Sequence, residues 1–316
     1  MEWVRGTAAL ERRPTRPVLT IGNFDGLHLG HRAIMDTVIE RARILDGEAV
    51  VMTFDPHPRK VLRPEQAPRL LATLEQKLEV LEEIGVDMVI VETFDEQFAR
   101  LEPQIFVEEY IYERVRPMEV FVGYDFHFGR DREGSMRLLT ETGPMLGFAV
   151  TIIPEVKLGG RDVNSTRIRD LLAKGNVEEA LNLLGRPFGV RSRVQEGDRR
   201  GRELGFPTAN LDPENEVLPG AGVYAGEVRI LDEGNPGQGE RFPAVINVGY
   251  RPTFRDGQGL LAEAHLLDFD GDLYGRSVEL CFMHRLRSER KFPGPEALRE
   301  QIARDVVQAR AKLGVG

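Results

Sequence analysis

Two histidines three positions apart, His28 and His31, stand in the run Ile21-Gly22-Asn23-Phe24-Asp25-Gly26-Leu27-His28-Leu29-Gly30-His31. Glycines let a backbone approach an anion, a helix start offers unpaired N–H groups, and two imidazoles at this spacing can reach one phosphate. Such a site stabilises charge on a phosphorus under attack without a protein nucleophile. An isolated histidine pair is more often a solvated helix start. Here the apolar run before it and the Gly-rich turn within it favour the phosphate reading. Farther on, Ser165 and Thr166 can supply hydroxyls and a helix cap, and Arg167 a fixed positive fork for a polyphosphate. Arg169 reads equally as a contact or as a surface charge.

The second half carries different chemistry. In Pro207-Thr208-Ala209-Asn210 a hydroxyl and a carboxamide lie two residues apart. That pair suits a hard cation such as Mg²⁺, which takes oxygen ligands and keeps several waters, although the same four residues also make an ordinary polar turn. In Glu263-Ala264-His265-Leu266-Leu267-Asp268-Phe269, strand alternation puts Glu263, His265 and Leu267 on one face. A carboxylate there can accept a proton from an alcohol or form a salt bridge on a barrel. Asp268 faces the other way and is expected to support the turn Asp270-Gly271-Asp272-Leu273-Tyr274-Gly275.

Two kinds of scaffold must hold these groups. From Val18 to Ile153, β-type runs (18–21, 49–54, 88–91, 120–122, 148–153) alternate with helical patterns (32–45, 74–84, 105–115), the rhythm of a parallel, Rossmann-like sheet wrapped by helices. Thr73 and Gln76 form a capping box before the second helix. A helical pair follows at 168–173 and 177–184, with Asn176 as the expected N-cap of its second member, and this pair is expected to close the first domain. Gly185-Arg186-Pro187 breaks the pattern, so the domains expected are 1–185 and 186–316. Beyond it, short strands (190–194, 223–230, 242–248, 262–269, 278–283) and a helix at 295–313 predict a small antiparallel β-barrel with a C-terminal helix. The Gly-rich stretch 232–240 reads as a hairpin connection without chemistry.

Composition narrows the function classes. At 316 residues, with 41% hydrophobic and 29% charged residues, the chain has the length of two globular domains. A net charge of -9 argues against a protein that wraps nucleic acid, while a few local donors can still hold nucleotide phosphates. The charged N-terminus lacks a signal-peptide core and no run is long enough to span a bilayer, so the expected location is cytoplasmic, without a membrane partner. The single cysteine, Cys281, cannot pair within the chain and reads as a buried strand position.

The motif Gly22-x-Phe24-Asp25-Gly26-x-His28-x-Gly30-His31 resembles the nucleotidyltransferase signature of prokaryotic bifunctional riboflavin kinase/FMN adenylyltransferases, or FAD synthetases. The resemblance continues through Thr53-Phe54-Asp55-Pro56-His57-Pro58, the 122–129 segment, Ser165-Thr166-Arg167-Ile168-Arg169, Pro207-Thr208-Ala209-Asn210, and the segments around Gly222, Asn247 and Arg287, over nearly the whole chain. One departure is Asn164, where the family usually has serine; asparagine also caps helices. The resemblance implies an N-terminal domain that adenylylates FMN to FAD and a C-terminal domain that phosphorylates riboflavin to FMN, both using ATP and Mg²⁺. For the first site it implies phosphate contacts from His28 and His31 and a nucleotide loop shaped by Gly22, Asn23, Phe24, Asp25 and Gly30, joined by Ser165, Thr166 and Arg167. It adds flavin contacts from His57, Pro58, Asp125, Phe126 and Phe128, although a Pro-His-Pro turn can be simply a rigid corner. For the second site it implies Glu263 as the base, an ATP and metal segment of Gly205, Pro207, Thr208 and Asn210, with the metal on Thr208 and Asn210, and Arg287 as a phosphate or flavin contact at the end of the last strand. Two other readings stay open: an adenylyltransferase of the same fold acting on another phosphate ester, and a flavin-binding protein without catalysis.

Overall fold

The computed structural model describes residues 1–124, 126–129, 134–195, 205–231, 239–250 and 260–315. Its contacts group into two compact units. The first comprises residues 1–69 and 74–163, and the second comprises 70–73 and 164–316.

The first unit is built on a six-stranded parallel sheet. Its strands are β1 (Glu2–Arg5), β2 (Val18–Ile21), β3 (Ala49–Asp55), β4 (Met88–Thr93), β5 (Glu119–Gly123) and, after two short ribbon strands β6 (His127–Phe128) and β7 (Gly134–Ser135), β8 (Ala149–Ile153). They lie in the order β1-β4-β3-β2-β5-β8, and every adjacent pair is parallel. The helices are α1 (Leu29–Ile44), α2 (Pro58–Leu62), α3 (Leu74–Ile84), α4 (Glu96–Ala99), α5 (Pro103–Ile105), which runs on as a π-helical stretch Phe106–Glu113, and α6 (Met136–Leu146). All of β2 and the first five residues of β3 and β4 are buried, as expected where helices cover both faces of a parallel sheet. One core centres on Met35, Val38, Val51 and Val89, the other on Leu19, Met52, Ile90 and Val120. β1 was not foreseen; its residues alternate half-buried and exposed, so an edge strand leaves no continuous apolar run to read.

Strand order matters more than strand count here. From β2 the chain proceeds through β3 to β4 on one side, then crosses back to place β5 against β2 on the other. In open α/β sheets the ligand crevice lies outside the C-terminal ends of the strands at such a reversal. β2 runs into the loop 22–28 and β5 ends at Gly123, three residues before Phe126, so predicted site residues follow both strands.

A short ribbon that ends the first unit, β9 (Lys157–Leu158) with β10 (Arg161–Asp162), precedes the helices α7 (Ser165–Ala173) and α8 (Val177–Leu184) of the second unit. Then come β11 (Phe188–Gln195), β12 (Ala209–Pro213), β13 (Gly222–Ile230), β14 (Arg241–Tyr250), β15 (Leu260–Leu266), β16 (Ser277–Arg287) and α9 (Pro295–Leu313). The six strands β11-β12-β15-β14-β13-β16 close a barrel. Tyr224, Ile246, Ala262, Ala264, Leu280 and Phe282 are almost fully buried inside it. Outside, Val223, Ala225, Val245 and Leu267 pack with Val306, Ala309 and Leu313 of α9.

The helical pair differs from its expected place, since α7 and α8 group with the barrel. Arg285 of β16 explains why: its N–H donates to Glu178 Oε1 at 2.9 Å and its Nη1 donates to the Lys174 carbonyl at 2.9 Å. The compact units therefore divide between Val163 and Asn164, ahead of the compositional break at Gly185-Arg186-Pro187. Asn176 is at the N-cap of α8 but makes no side-chain cap bond, whereas Asn164 caps α7 by accepting from Arg167 N–H at 2.9 Å. The segment expected as a hairpin connection, 232–240, lies mostly outside the described residues.

Candidate functional sites

The loop after β2 is wound by three left-handed residues, Phe24 (φ 46°), Gly26 (φ 80°) and Leu27 (φ 41°). Two of these carry side chains, in a conformation that costs energy and concentrates at ligand sites. Both side chains are buried in the core, which holds the turn in place. The loop ends at His28, the N-cap of α1, whose Nδ1 accepts from His31 N–H at 3.3 Å. The two imidazoles stack, with centroids 3.6 Å apart and planes 18° from parallel, and Phe24 meets His31 edge-on at 5.4 Å. Gly30 is required by this stack: a Cβ there would stand 3.1 Å from His28 Cε1 and Nδ1 and 3.3 Å from the Val163 carbonyl. At Gly22 a Cβ would come within 2.8 Å of Phe24 Cζ. Thus Gly22, Phe24, His28, Gly30 and His31 form one packed unit at a helix N-terminus, where backbone N–H groups and the dipole favour an anion.

Asn23 and Asp25 belong to the same turn. Asp25 is 5% exposed. The Asn23 side-chain Oδ1 is buried and has no hydrogen-bond partner among the described residues, a deficit that a ligand donor would remove. The Asn23 carbonyl accepts from Lys77 Nζ of α3 at 2.8 Å and from Thr53 Oγ1 of β3 at 3.3 Å. Lys77 was not foreseen. One buried lysine in the amphipathic helix LEQKLEVLEEI looks like any solvated cation, because the sequence does not show that α3 turns it inward.

Near the ends of β3 and β5 an aromatic wall has formed. Phe54, Phe94, Phe98, Tyr110, Phe106, Phe128 and Phe126 contact one another in succession with centroids 5.2–6.0 Å apart. Phe126 and Phe128 are thereby placed together; Asp125 lies outside the described residues. His57 is the N-cap of α2 and accepts from Arg59 N–H at 3.1 Å, with Pro58 in the first turn. In the second unit, Ser165 and Thr166 open α7 behind the Asn164 cap, so asparagine takes the capping role read for the hydroxyls. Arg167 Nη2 donates to Glu179 Oε1 at 2.7 Å.

On the barrel, register assembles the other candidate site. Gln195 pairs with Asn210, Asn210 with Glu263, and Glu263 with Asn247. Alternation turns Ala262 and Ala264 inward, so this polar row lies on the outer face, beside the apolar patch that α9 covers. His265 shares the face; its Nδ1 is 2.8 Å from the Pro207 carbonyl and its ring meets Phe206 at 5.5 Å, which ties the Pro207–Asn210 segment to β15. Gly205 takes φ 84°, and Thr208 is exposed. Asn247 was missed as a site residue, because only the pairing of β14 with β15 shows that it flanks Glu263.

Asp268 departs from its expected role, and Arg287 has a partner within the fold. Arg287 grips Asp305 of α9 through Nε to Oδ1 at 3.0 Å, Nε to Oδ2 at 3.1 Å and Nη2 to Oδ2 at 2.8 Å. Asp305 is 1% exposed, so the guanidinium serves as a clamp within the fold. Asp268 pairs with Arg310 of α9 at 2.6 Å; the turn after it is held by Asp272, whose Oδ1 accepts from Tyr274 N–H at 2.9 Å. Burial pushes the Cys281 thiol up to about 12, which makes it inert at neutral pH.

An anion-binding turn at the reversal of a parallel sheet, linked to a closed barrel bearing a carboxylate between two carboxamides, defines a two-part, nucleotide-using class of protein. Comparison with known proteins gives the family. Residues 10–167 match the family model of FAD synthetase and residues 184–313 that of riboflavin kinase. The bifunctional riboflavin kinase/FMN adenylyltransferase of Escherichia coli K12 is 40% identical over 316 residues, covering 100% of this chain and 99% of its own. That of Bacillus subtilis 168 is 35% identical over 306 residues, covering 95% and 93%. The chain belongs to the bifunctional riboflavin kinase/FMN adenylyltransferase family. A crystal structure from Streptococcus pneumoniae described as a macrolide-efflux protein matches with a TM-score of 0.86 and 30% identity, over 98% of this chain and 99% of that one. No helix among the described residues is long and apolar enough to cross a membrane.

Proposed function

We propose that this chain phosphorylates riboflavin to FMN in residues 186–316 and adenylylates FMN to FAD in residues 1–185, each with ATP and Mg²⁺. The strongest support for the second reaction is that the His28–His31 turn follows the end of β2, and Phe126 the end of β5, both beside the reversal point of the sheet. In that step an FMN phosphate oxygen attacks the α-phosphorus of ATP and pyrophosphate leaves. His28, His31 and the α1 N–H groups bind the phosphates and stabilise the charge that builds on them. Asn23, Asp25, Gly22, Phe24 and Gly30 hold the loop, and Ser165, Thr166 and Arg167 are assigned to the polyphosphate. The flavin ring is assigned to the aromatic wall with Phe126 and Phe128, together with His57, Pro58 and Asp125.

For the kinase step, Glu263 accepts the proton of the riboflavin hydroxyl as its oxygen attacks the γ-phosphorus and ADP leaves. Asn210 pairs with Glu263 in register and Thr208 precedes it by two residues; their neutral oxygens are a donor set that fits Mg²⁺ when ATP phosphates and water complete its shell. Bound there, Mg²⁺ would neutralise phosphate charge. Gly205 and Pro207 shape the segment that carries them.

One time course tests the proposal. Pure protein with riboflavin, ATP and Mg²⁺ should show FMN first and FAD later when the flavins are separated. His28→Ala should lower FAD formation about 100- to 1,000-fold and spare FMN formation; Glu263→Gln should do the reverse, with a loss of about 100-fold or more. A parental protein that makes neither product refutes the reading. A Glu263→Gln protein with parental kinase turnover moves the base elsewhere.

A further inference from the structure

Lys77 is a buried cation bonded to the nucleotide loop, and none of the motifs above includes it. It sits on α3, is 9% exposed, and its ammonium donates to the Asn23 carbonyl at 2.8 Å and to Thr53 Oγ1 at 3.2 Å. Thr53 Oγ1 itself reaches the Asn23 carbonyl at 3.3 Å. Three elements therefore meet at one carbonyl: the loop after β2, the end of β3 and α3. The charges acting on the ammonium are Asp25, within the loop, and Asp55, at the end of β3. Asp55 also pairs with Arg5 at 2.8 Å, whereas Asp25 is 5% exposed.

We propose that Lys77 is a positioning residue for ATP in the adenylylation site, fixing the nucleotide loop through the Asn23 carbonyl and offsetting the buried Asp25 carboxylate. The inference rests on the adenylyltransferase reading above. Two effects act together. An ammonium buried with two oxygen acceptors keeps the left-handed turn in one conformation before the nucleotide arrives, so ATP does not bear the cost of ordering it. A positive charge beside Asp25 also lowers the repulsion that a polyphosphate would meet from a buried carboxylate. Burial lowers the pKa of Lys77, and Asp25 and Asp55 oppose that shift by favouring the charged form.

The test uses the full chain, whose kinase reaction controls for the amount of protein and whose thermal melt checks that the first unit is folded. Lys77→Met keeps the length of the side chain and removes charge and donors. It is expected to raise KM for ATP in FAD formation at least 10-fold, with KM for FMN within about 2-fold of parental and riboflavin phosphorylation unchanged. Thr53→Val removes one acceptor, keeps the charge, and should raise the same KM by a smaller factor. A structural role alone would reduce the amount of active protein and leave KM for ATP where it was, so Lys77→Met with parental KM overturns the inference. If Lys77→Met does not yield folded protein, Thr53→Val decides: an unchanged KM for ATP overturns the proposal. A parental chain that makes no FAD would instead refute the adenylyltransferase reading itself.

Discussion

Removing the carboxylate at Asp305 should separate two roles for Arg287, a clamp on α9 and a ligand contact. The Asp305 side chain is 2% exposed and that of Arg287 20%, so Asp305→Ala would leave a largely desolvated guanidinium without its carboxylate. Losing one partner of a buried pair costs about 3–5 kcal/mol. Residual water access to Arg287 and its retained bond to the Ser288 carbonyl at 3.1 Å place the loss near the lower end, about 3 kcal/mol. For a unit of this size each kcal/mol moves Tm by about 2–4 °C, giving a fall of about 6–12 °C. The assay is calorimetry of the full chain, with the transition of the barrel unit assigned by the loss of riboflavin phosphorylation on heating. Exchanging both partners, Arg287→Met with Asp305→Leu, should recover most of the loss, since a well-packed apolar pair is often as stable as a buried ion pair. The KM for riboflavin should stay within about 2-fold in the doubly substituted protein. A melting temperature for Asp305→Ala within about 1 °C of parental, together with a large rise in riboflavin KM for Arg287→Met, would refute the clamp.

Two more outcomes are expected. In the first unit, Arg12 hydrogen bonds hold Glu48 below the usual carboxylate range, and Arg41 does the same to Glu119; a lowered folded pKa means that this stability is complete above about pH 4.5 and lost as pH falls through the folded values. Thermal melts between pH 6 and 3 should therefore show the first unit weakening on acidification, with a shallower slope in Glu48→Gln; equal slopes would contradict the assignment. A fragment beginning at Asn164 should melt higher than one beginning at Arg186, because only the longer one keeps Glu178 and the Lys174 carbonyl against Arg285. Equal melting of the two fragments would show that α7 and α8 add nothing to the barrel.

The parallel sheet was legible because both of its faces are buried, which gives continuous apolar runs such as Val18–Ile21 and Ala49–Phe54, and α9 because its 19-residue pattern is long. Less visible was anything set by pairing between distant strands. The strand order that places β5 beside β2 has no local signature, nor does the register that brings Asn247 and Asn210 to either side of Glu263. Pro207-Thr208-Ala209-Asn210 can be read as a polar turn, yet Ala209 and Asn210 open strand β12, held by β11 and β15. Lys77 and Arg287 show the same limit from opposite sides. A charge that is buried looks solvated in the sequence, and a charge at a strand end looks available although Asp305, many residues away, already engages it.

The outer polar row on β15 has a consequence for how this unit can vary. Even-numbered positions, Ala262, Ala264 and Leu266, fill the barrel, while odd-numbered ones, Glu263 and His265, face outward. Stability and chemistry are thus written in alternate letters of the same short strand. Substitutions that conserve volume inside can be absorbed by repacking with Ile246 and Tyr224 and leave the row untouched. A single residue inserted ahead of Glu263 would do the opposite: composition would hardly change, yet every side chain beyond it would change face. The carboxylate would enter an apolar interior and the alanines would take its place outside. The strand therefore tolerates changes of residue far better than changes of length, and length is what a drifting sequence should keep there.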